Sequence, residues 1–328
     1  MTLQRWLEQN WYAESAPALL RPLAAVYGGV ASARRAMLAD SAKKLPVPVI
    51  VVGNITLGGT GKTPFVIWLV ERLREWGYRP GVISRGYGGR APQYPFRVRR
   101  ETSPAYAGDE PALLARRLNC PLFVAPDRLA AAQALLAGGE INIIVADDGL
   151  QHYRLPRDVE ICVVDGRRRF GNGALLPAGP LRERPKRLAE VDLVIVNGSD
   201  WHCPAPQRAR MDLAAREPRP VSGGAARPWA QFAGKPVHAV AGIGNPARFF
   251  ATLRARGLEL VEHPYADHHH FIEADLRFGD ALPVLMTEKD AVKCAPFSGP
   301  THWFVPVDAQ IGAESAALVR KLVDAVKR

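Results

Sequence analysis

The apolar run Val49-Ile50-Val51-Val52 leads into Thr56-Leu57-Gly58-Gly59-Thr60-Gly61-Lys62-Thr63, and a stretch with helical apolar spacing, Phe65 to Trp76, follows. Strand, glycine-rich turn, Lys-Thr and helix in that order make a phosphate-binding loop. The order constrains the fold, because such a loop works where a strand hands over to a helix whose N-terminus faces the anion. Glycines let backbone N–H groups turn inward around the anion, and the helix N-terminus adds positive partial charge. Lys62 is expected to reach the terminal phosphates and the Thr63 hydroxyl to ligate Mg²⁺. Thr56, Gly58, Gly59, Thr60 and Gly61 complete the expected nucleotide cradle.

The usual pattern is G-x-x-x-x-G-K-[ST], and Thr56 replaces its first glycine here. The deviant K-G-G-x-G-K-T loop of dimeric switch ATPases is also close, but Leu57 stands where its signature lysine would be. A glycine-rich turn that binds nothing is the plain alternative.

The formal net charge is +11, from 43 Lys and Arg against 32 Asp and Glu. That balance points to an anionic partner: nucleic acid, an anionic membrane surface or a phosphorylated substrate. The 328 residues suffice for two domains with separate cores. Cys120, Cys162, Cys203 and Cys294 lie far apart without C-x-x-C spacing, which argues against a zinc site or a disulfide framework and fits a reducing cytosol. No secretory signal pattern opens the chain, and no apolar run reaches the roughly 18 residues that span a bilayer.

Residues 1–45 read as a helical, membrane-interacting segment. Trp6, Leu7, Trp11, Tyr12, Leu19, Leu20, Leu23 and Tyr27 interleave with Arg5, Arg21, Arg34, Arg35, Lys43 and Lys44, a mixture suited to a bilayer interface. A helical hairpin packed on the core is the alternative. Over 46–215, apolar strands near 47–53, 81–84, 121–125, 142–146, 159–164 and 192–196 alternate with helical stretches at 63–76, 109–118 and 128–138. This rhythm predicts an α/β fold with a P-loop NTPase-like, mostly parallel sheet and helices on both faces. Residues 204–236 break the rhythm with Pro204, Pro206, Pro218, Pro220, Gly223, Gly224 and Pro228, and 216–236 read as a linker or hinge. A smaller C-terminal α/β domain over 237–328 follows, with strands near 237–241, 258–261, 283–287 and 303–307 and a last helix over 313–326.

Ligands of an open parallel sheet bind at the carboxyl ends of its strands, and polar motifs collect there. Ser84-Arg85-Gly86-Tyr87-Gly88-Gly89 follows one strand and Asp147-Asp148-Gly149-Leu150-Gln151-His152 another. Asp147-Asp148 stands where a P-loop enzyme keeps the aspartate that holds Mg²⁺; an ordinary Asp-Gly turn has the same look. Asp109 opens a helical stretch, which capping alone explains, yet a kinase needs a carboxylate to accept a hydroxyl proton. Asp267-His268-His269-His270 is the densest histidine cluster, and adjacent rings point too differently to share one metal. Arg85, Arg90, Arg97, Arg99 and Arg100 crowd 84–100 with no acid, and residues 165–187 carry seven basic against two acidic side chains. Guanidinium forks match phosphate geometry. No nucleic-acid-binding pattern accompanies them, so no nucleic-acid partner is expected.

Taken together, the motifs resemble those of the tetraacyldisaccharide 4′-kinase family, the lipid A kinases of Gram-negative bacteria. The resemblance rests on Gly53-Asn54-Ile55-Thr56 leading into Gly58 to Pro64, then Ser84 to Gly88, Gly108-Asp109-Glu110-Pro111, Asp147 to His152 and Leu176 to Glu183. Ala241 to Pro246, Asp267-His268 and Met286 to Lys293 extend it through the C-terminal half. It implies transfer of the γ-phosphate of ATP, with Mg²⁺, to the 4′-hydroxyl of an acylated glucosamine disaccharide 1-phosphate. It also implies two α/β domains and a peripheral place on the cytoplasmic face of the inner membrane, and a monomer is expected. By position, Lys62 and Thr63 resemble the γ-phosphate and Mg²⁺ contacts, Asp147 and Asp148 the metal and charge network, Asp109 the base and His268 its tuning partner. Arg182 and Glu183, with Ser84 and Arg85, are expected to line the site. No role passes to His269 or His270.

Two other readings stay open. A switch ATPase or GTPase would use the same loop, and Thr287-Glu288-Lys289-Asp290 superficially resembles a guanine-specificity motif. A non-enzymatic module for anionic lipid or nucleic acid would use the basic stretches.

Overall fold

A computed structural model describes residues 3–39, 44–199 and 201–327; Lys43 and the side chain of Arg5, both in the expected N-terminal basic set, lie outside the described residues. The strands in chain order are β1 (Val49–Gly53), β2 (Pro80–Ser84), β3 (Phe96–Val98), β4 (Leu122–Val124), β5 (Ile143–Asp147), β6 (Val159–Asp165), β7 (Leu193–Asn197), β8 (Arg208–Ala215), β9 (Arg219–Pro220), β10 (Val237–Ala241), β11 (Leu260–Pro264), β12 (Val284–Thr287), β13 (His302–Val305) and β14 (Val307–Gln310). The α-helices are α1 (Leu3–Trp11), α2 (Arg21–Ala39), α3 (Lys62–Glu75), α4 (Pro104–Ala107), α5 (Asp109–Arg117), α6 (Arg128–Ala137), α7 (Pro246–Arg254), α8 (Glu288–Cys294) and α9 (Ala313–Ala325).

Two compact units result. The first gathers Met1–Arg85, Asp127–Leu213 and Ala309–Arg328; the second gathers Gly86–Pro126 and Ala214–Asp308. These units are discontinuous in sequence, whereas the ranges 46–215 and 237–328 were expected as continuous stretches. The physical reason is packing: α5 lies against α8 in the second unit, and Tyr78 donates its hydroxyl hydrogen to Asp324 of α9 in the first.

The first unit is built on parallel strands in the order β8-β7-β6-β1-β5-β2. Val49, Ile50, Val51 and Val52 are wholly buried, as expected of β-branched residues in a parallel sheet covered by helices. Helices α3 and α6 pack against this sheet. Strand β8 falls inside the proline-rich stretch that reads as a break in the rhythm. Its alternation of exposed Arg208 and Arg210 with buried Ala209 and Met211 is a half-buried pattern flanked by prolines, and those flanks mask it in the sequence.

The second unit has its own five-stranded sheet, β11-β10-β12-β13-β9, parallel except for the short β9. Val237, Ala239, Ala241, Leu285 and Val305 pack with Phe249, Phe250 and Leu253 of α7. Val240, Val284 and Met286 pack with Phe271, Leu276, Ala291 and Cys294 in a second cluster. Strands β3 and β4 pair antiparallel in this unit; β3 sits within an arginine-rich stretch where its apolar alternation spans only three residues.

The N-terminal helices have one packed side and one exposed side. Trp11 donates its indole N–H to Pro177 O at 2.9 Å and Ala24 is buried, so one side packs on the unit. The other side leaves Leu19, Leu23, Val26, Val30 and Met37 exposed. Among the described residues, no helix is long and apolar enough to cross a membrane.

Candidate active site

The phosphate loop begins where β1 ends and closes at the first turn of α3. Gly61 caps that helix with φ 96°, and a Cβ there would lie 2.7 Å from Asn197 Nδ2, so glycine is required twice over. The loop is held from outside. Leu57 N–H donates to Pro180 O at 2.8 Å, Asn197 Nδ2 to Thr60 O at 2.9 Å, and Arg168 Nη2 to Gly59 O at 2.6 Å. No acid occupies the first turn of α3, which leaves its N-terminal N–H groups facing an anion site without a competing carboxylate on that turn. Thr56 and Thr60 are buried supports of the loop.

Asp147 ends β5 in register beside Val52 of β1, immediately before the loop. Ser84, at the end of β2, is buried and donates its hydroxyl to Asp147 Oδ2 at 3.1 Å, so its hydroxyl orients the aspartate. Asp148 follows with φ 50°, a left-handed conformation uncommon for a non-glycine residue. Arg182 Nη1 donates to both of its oxygens, at 2.9 and 3.2 Å, and Lys62 Nζ lies 3.6 Å from Oδ1. Burial alone would push the Asp148 carboxyl up, but Lys62 and Arg182 hold it far below the usual carboxylate range. Glu183 accepts from Gln151 Nε2 at 2.7 Å and from the Tyr153 hydroxyl, while Gln151 also donates to Asn54 O at 2.9 Å. Glu183 thus braces the loop preceding the P-loop glycines. Arg85 is exposed at the end of β2.

In the second unit the structure brings together two expected residues that lie 159 positions apart. His268 Nδ1 is 3.1 Å from Asp109 Oδ2. Asp109 starts α5 directly after Gly108, whose φ of 85° and close approach to Tyr87 O leave no room for a Cβ. His268 has φ 60°, so two of the three non-glycine residues with positive φ among the described residues are expected site residues. Lys293 Nζ is 3.7 Å from Asp109 Oδ2 and 2.8 Å from Asp290 Oδ1. Both contacts of Asp109 fall on Oδ2, and Oδ1 has no hydrogen-bond partner among the described residues. Burial would raise the Asp109 carboxyl, but the His268 hydrogen bond and the charges of Lys293 and Lys289 hold it below its ordinary value. His269 bonds Asp275 at 3.0 Å and stacks on Tyr265, a structural role.

The sequence reading missed several contributors. Asn197 sits at the carboxyl end of β7, where the strand-end rule could have found it. Arg128 is buried and donates to Asp148 O at 3.4 Å, and burial lowers its guanidinium to about 10. Lys289 and Lys293 lie within a motif that carried the resemblance without an assigned role. The guanine-specificity reading of Thr287 to Asp290 is corrected: Asp290 is wholly buried and accepts from Gly242 N–H at 2.9 Å and Thr287 Oγ at 2.6 Å. An aspartate so enclosed cannot read a base.

The residues present fit Mg²⁺. Thr63 and Asp147 offer hard oxygen donors, and among the described residues no three His, Cys, Asp or Glu side chains gather to hold a metal alone. Mg²⁺ commonly binds through one or two carboxylates and completes its shell with water and substrate phosphates. Asp148, engaged by Arg182 and Lys62, belongs to the charge network around that position.

The sequence profile of the family described as Tetraacyldisaccharide-1-P 4′-kinase (LpxK) matches residues 16–327. Curated relatives named tetraacyldisaccharide 4′-kinase are similar over nearly the whole chain. One from Alkalilimnicola ehrlichii is 53% identical over 310 residues, covering 93% of this chain and 91% of its own. Another, from Pseudomonas aeruginosa, is 48% identical over 314 residues and 94% of both chains. Among solved structures, LpxK from Aquifex aeolicus in complex with ATP has a TM-score of 0.79 and 25% identity, covering 95% of this chain and 99% of that one.

Proposed function

The chain belongs to the tetraacyldisaccharide-1-phosphate 4′-kinase family, and on that premise we propose that the Lys62 loop holds the phosphates of ATP while Asp109 receives the proton of the acceptor hydroxyl. The activity is transfer of the γ-phosphate of ATP to the 4′-hydroxyl of tetraacyldisaccharide 1-phosphate, an alcohol-acceptor phosphotransfer of lipid A biosynthesis. The bond from the γ-phosphorus to the β–γ bridging oxygen breaks, and a bond to the 4′-oxygen forms. The hydroxyl proton passes to Asp109 Oδ1.

Lys62 starts in contact with Asp148 and swings to the γ-phosphate, leaving Arg182 to neutralise the carboxylate. Thr63 and Asp147 would hold Mg²⁺, which when bound neutralises charge on the β- and γ-phosphates. A phosphoryl transition state that is largely dissociative needs little help from a strong base. Asp109, a weak base held below the ordinary carboxylate value, suits a late proton transfer and an early role in orienting the hydroxyl.

The exposed stripe of Leu19, Leu23, Val26, Val30 and Met37, with Arg21 and Arg34 beside it, supports peripheral binding to the cytoplasmic face of the inner membrane, where an acylated substrate resides. The observation that carries the reading is the loop lysine at a helix N-terminus, 3.6 Å from Asp148, the aspartate directly after the neighbouring strand. The test is transfer from γ-labelled ATP to tetraacyldisaccharide 1-phosphate in mixed micelles, with a Lys62→Ala control. Labelled lipid that disappears in the control supports it; ATP hydrolysis without labelled lipid refutes it.

A further inference from the structure

Lys289 of α8 stands among two acids and an imidazole. Its Nζ is 3.3 Å from Asp267 Oδ1, 3.5 Å from Glu110 Oε1 and 3.4 Å from His268 Nε2. An ammonium group donates hydrogen bonds and cannot accept one. His268 Nε2 must therefore present its lone pair to Lys289. The remaining ring proton then sits on Nδ1 and points to Asp109 Oδ2, 3.1 Å away. Asp267 offers no competing acceptor to Nε2. Its Oδ1 is 3.8 Å from that nitrogen and already takes the His268 backbone N–H at 3.0 Å and the Lys289 ammonium.

We infer that Lys289 is a positioning residue that fixes His268 as the Nδ1–H tautomer, so that His268 holds the Asp109 carboxylate through Nδ1 and leaves the transferred proton to Asp109. This rests on the proposed role of Asp109 as proton acceptor. The bond from Nδ1 occupies Oδ2, which directs the substrate hydroxyl to Oδ1. The same bond anchors a histidine whose left-handed backbone is otherwise costly. The edge-on Tyr87 ring, 5.3 Å from the imidazole, closes another side. The tautomer of a functional histidine is commonly set by the partner on its far nitrogen, and the wrong tautomer is catalytically costly.

The test is nitrogen NMR of the full chain carrying labelled histidine at neutral pH, with a His268→Gln variant to assign the signals. The expected spectrum has a protonated Nδ1 and a lone-pair Nε2 at His268. Lys289→Met should give mixed tautomers and lower kcat about ten- to a hundredfold, as when an outer partner of a functional histidine is lost. KM for ATP should stay unchanged. Lys289→Arg, which keeps a cationic donor, should restore the Nδ1–H signal. A wild-type ring protonated at Nε2, or unchanged spectra and kcat in Lys289→Met, would overturn the inference. The wild-type spectrum decides alone if Lys289→Met does not fold. An Asp109→Asn variant that remains fully active beside an Nδ1–H spectrum would instead remove Asp109 as acceptor and leave the tautomer assignment standing.

Discussion

Replacing Arg182 by Met removes a side chain and leaves its loop in place. The backbone N–H still reaches Ile55 O at 2.7 Å, and the backbone carbonyl still accepts from the Tyr27 hydroxyl at 3.3 Å. Among what goes are the guanidinium contacts to both Asp148 oxygens, at 2.9 and 3.2 Å, and to Gln151 Oε1 at 3.4 Å. Opposite charges roughly 3 Å apart attract by about 5.5 kcal/mol at an effective dielectric of about 20. The two side chains keep 24% and 28% of their surface exposed, so water screens the pair. The net value falls to that of a charge-assisted hydrogen bond, about 2 kcal/mol. Lys62 sits 3.6 Å from the same carboxylate and must leave it to reach a phosphate. Without Arg182, Asp148 holds Lys62 harder, and the lost 2 kcal/mol becomes an upper bound on the lost affinity for MgATP, about thirtyfold in Kd. Titration calorimetry at fixed ionic strength measures it, with denaturant unfolding as a check on the fold. A Kd within about twofold of wild type would refute the idea that Arg182 frees Lys62 for the nucleotide.

Three further outcomes are expected. His268→Ala should move the acid limb of kcat/KM to higher pH, because a depressed carboxyl is ionised down to its folded-state value, below the ordinary 3.8, and the histidine supplies much of that depression; a limb that does not move contradicts this. The stability tied to Asp109 ionisation is likewise present above the unfolded value and lost as pH falls through the folded one. Asp290→Ala should cost about 3–5 kcal/mol in urea unfolding, since it strips a buried partner from Lys293, Thr287 and Gly242 N–H, and a loss under about 1 kcal/mol would show the site relaxes. Glu at Leu23, Val26 and Val30 together should cut binding to anionic vesicles at least about tenfold; unchanged binding would place the membrane contact elsewhere.

The first parallel strand and its loop were legible because every residue of Val49 to Val52 is apolar and the glycines that follow have one physical use. Asp147 was legible from its place at a strand end. The Asp109–His268 pair was not readable from spacing, since 159 positions separate the two and only tertiary packing joins them; family resemblance supplied it. The lysines around the pair stand inside a motif yet show no role in sequence, because a lysine on a short helix looks solvated until its neighbours are known. Strand β8 hid among prolines. The grouping of Gly86–Pro126 with the later part of the chain was likewise invisible, because it is set by tertiary packing such as that of α5 on α8.

The most direct test of the account is the chemical step in Asp109→Asn, measured by rapid quench with saturating MgATP and lipid in mixed micelles. The account predicts ATP binding near wild type and a transfer step slowed by about a hundredfold or more, the range for a lost general base. A transfer rate equal to wild type would contradict the assignment of the hydroxyl proton to Asp109.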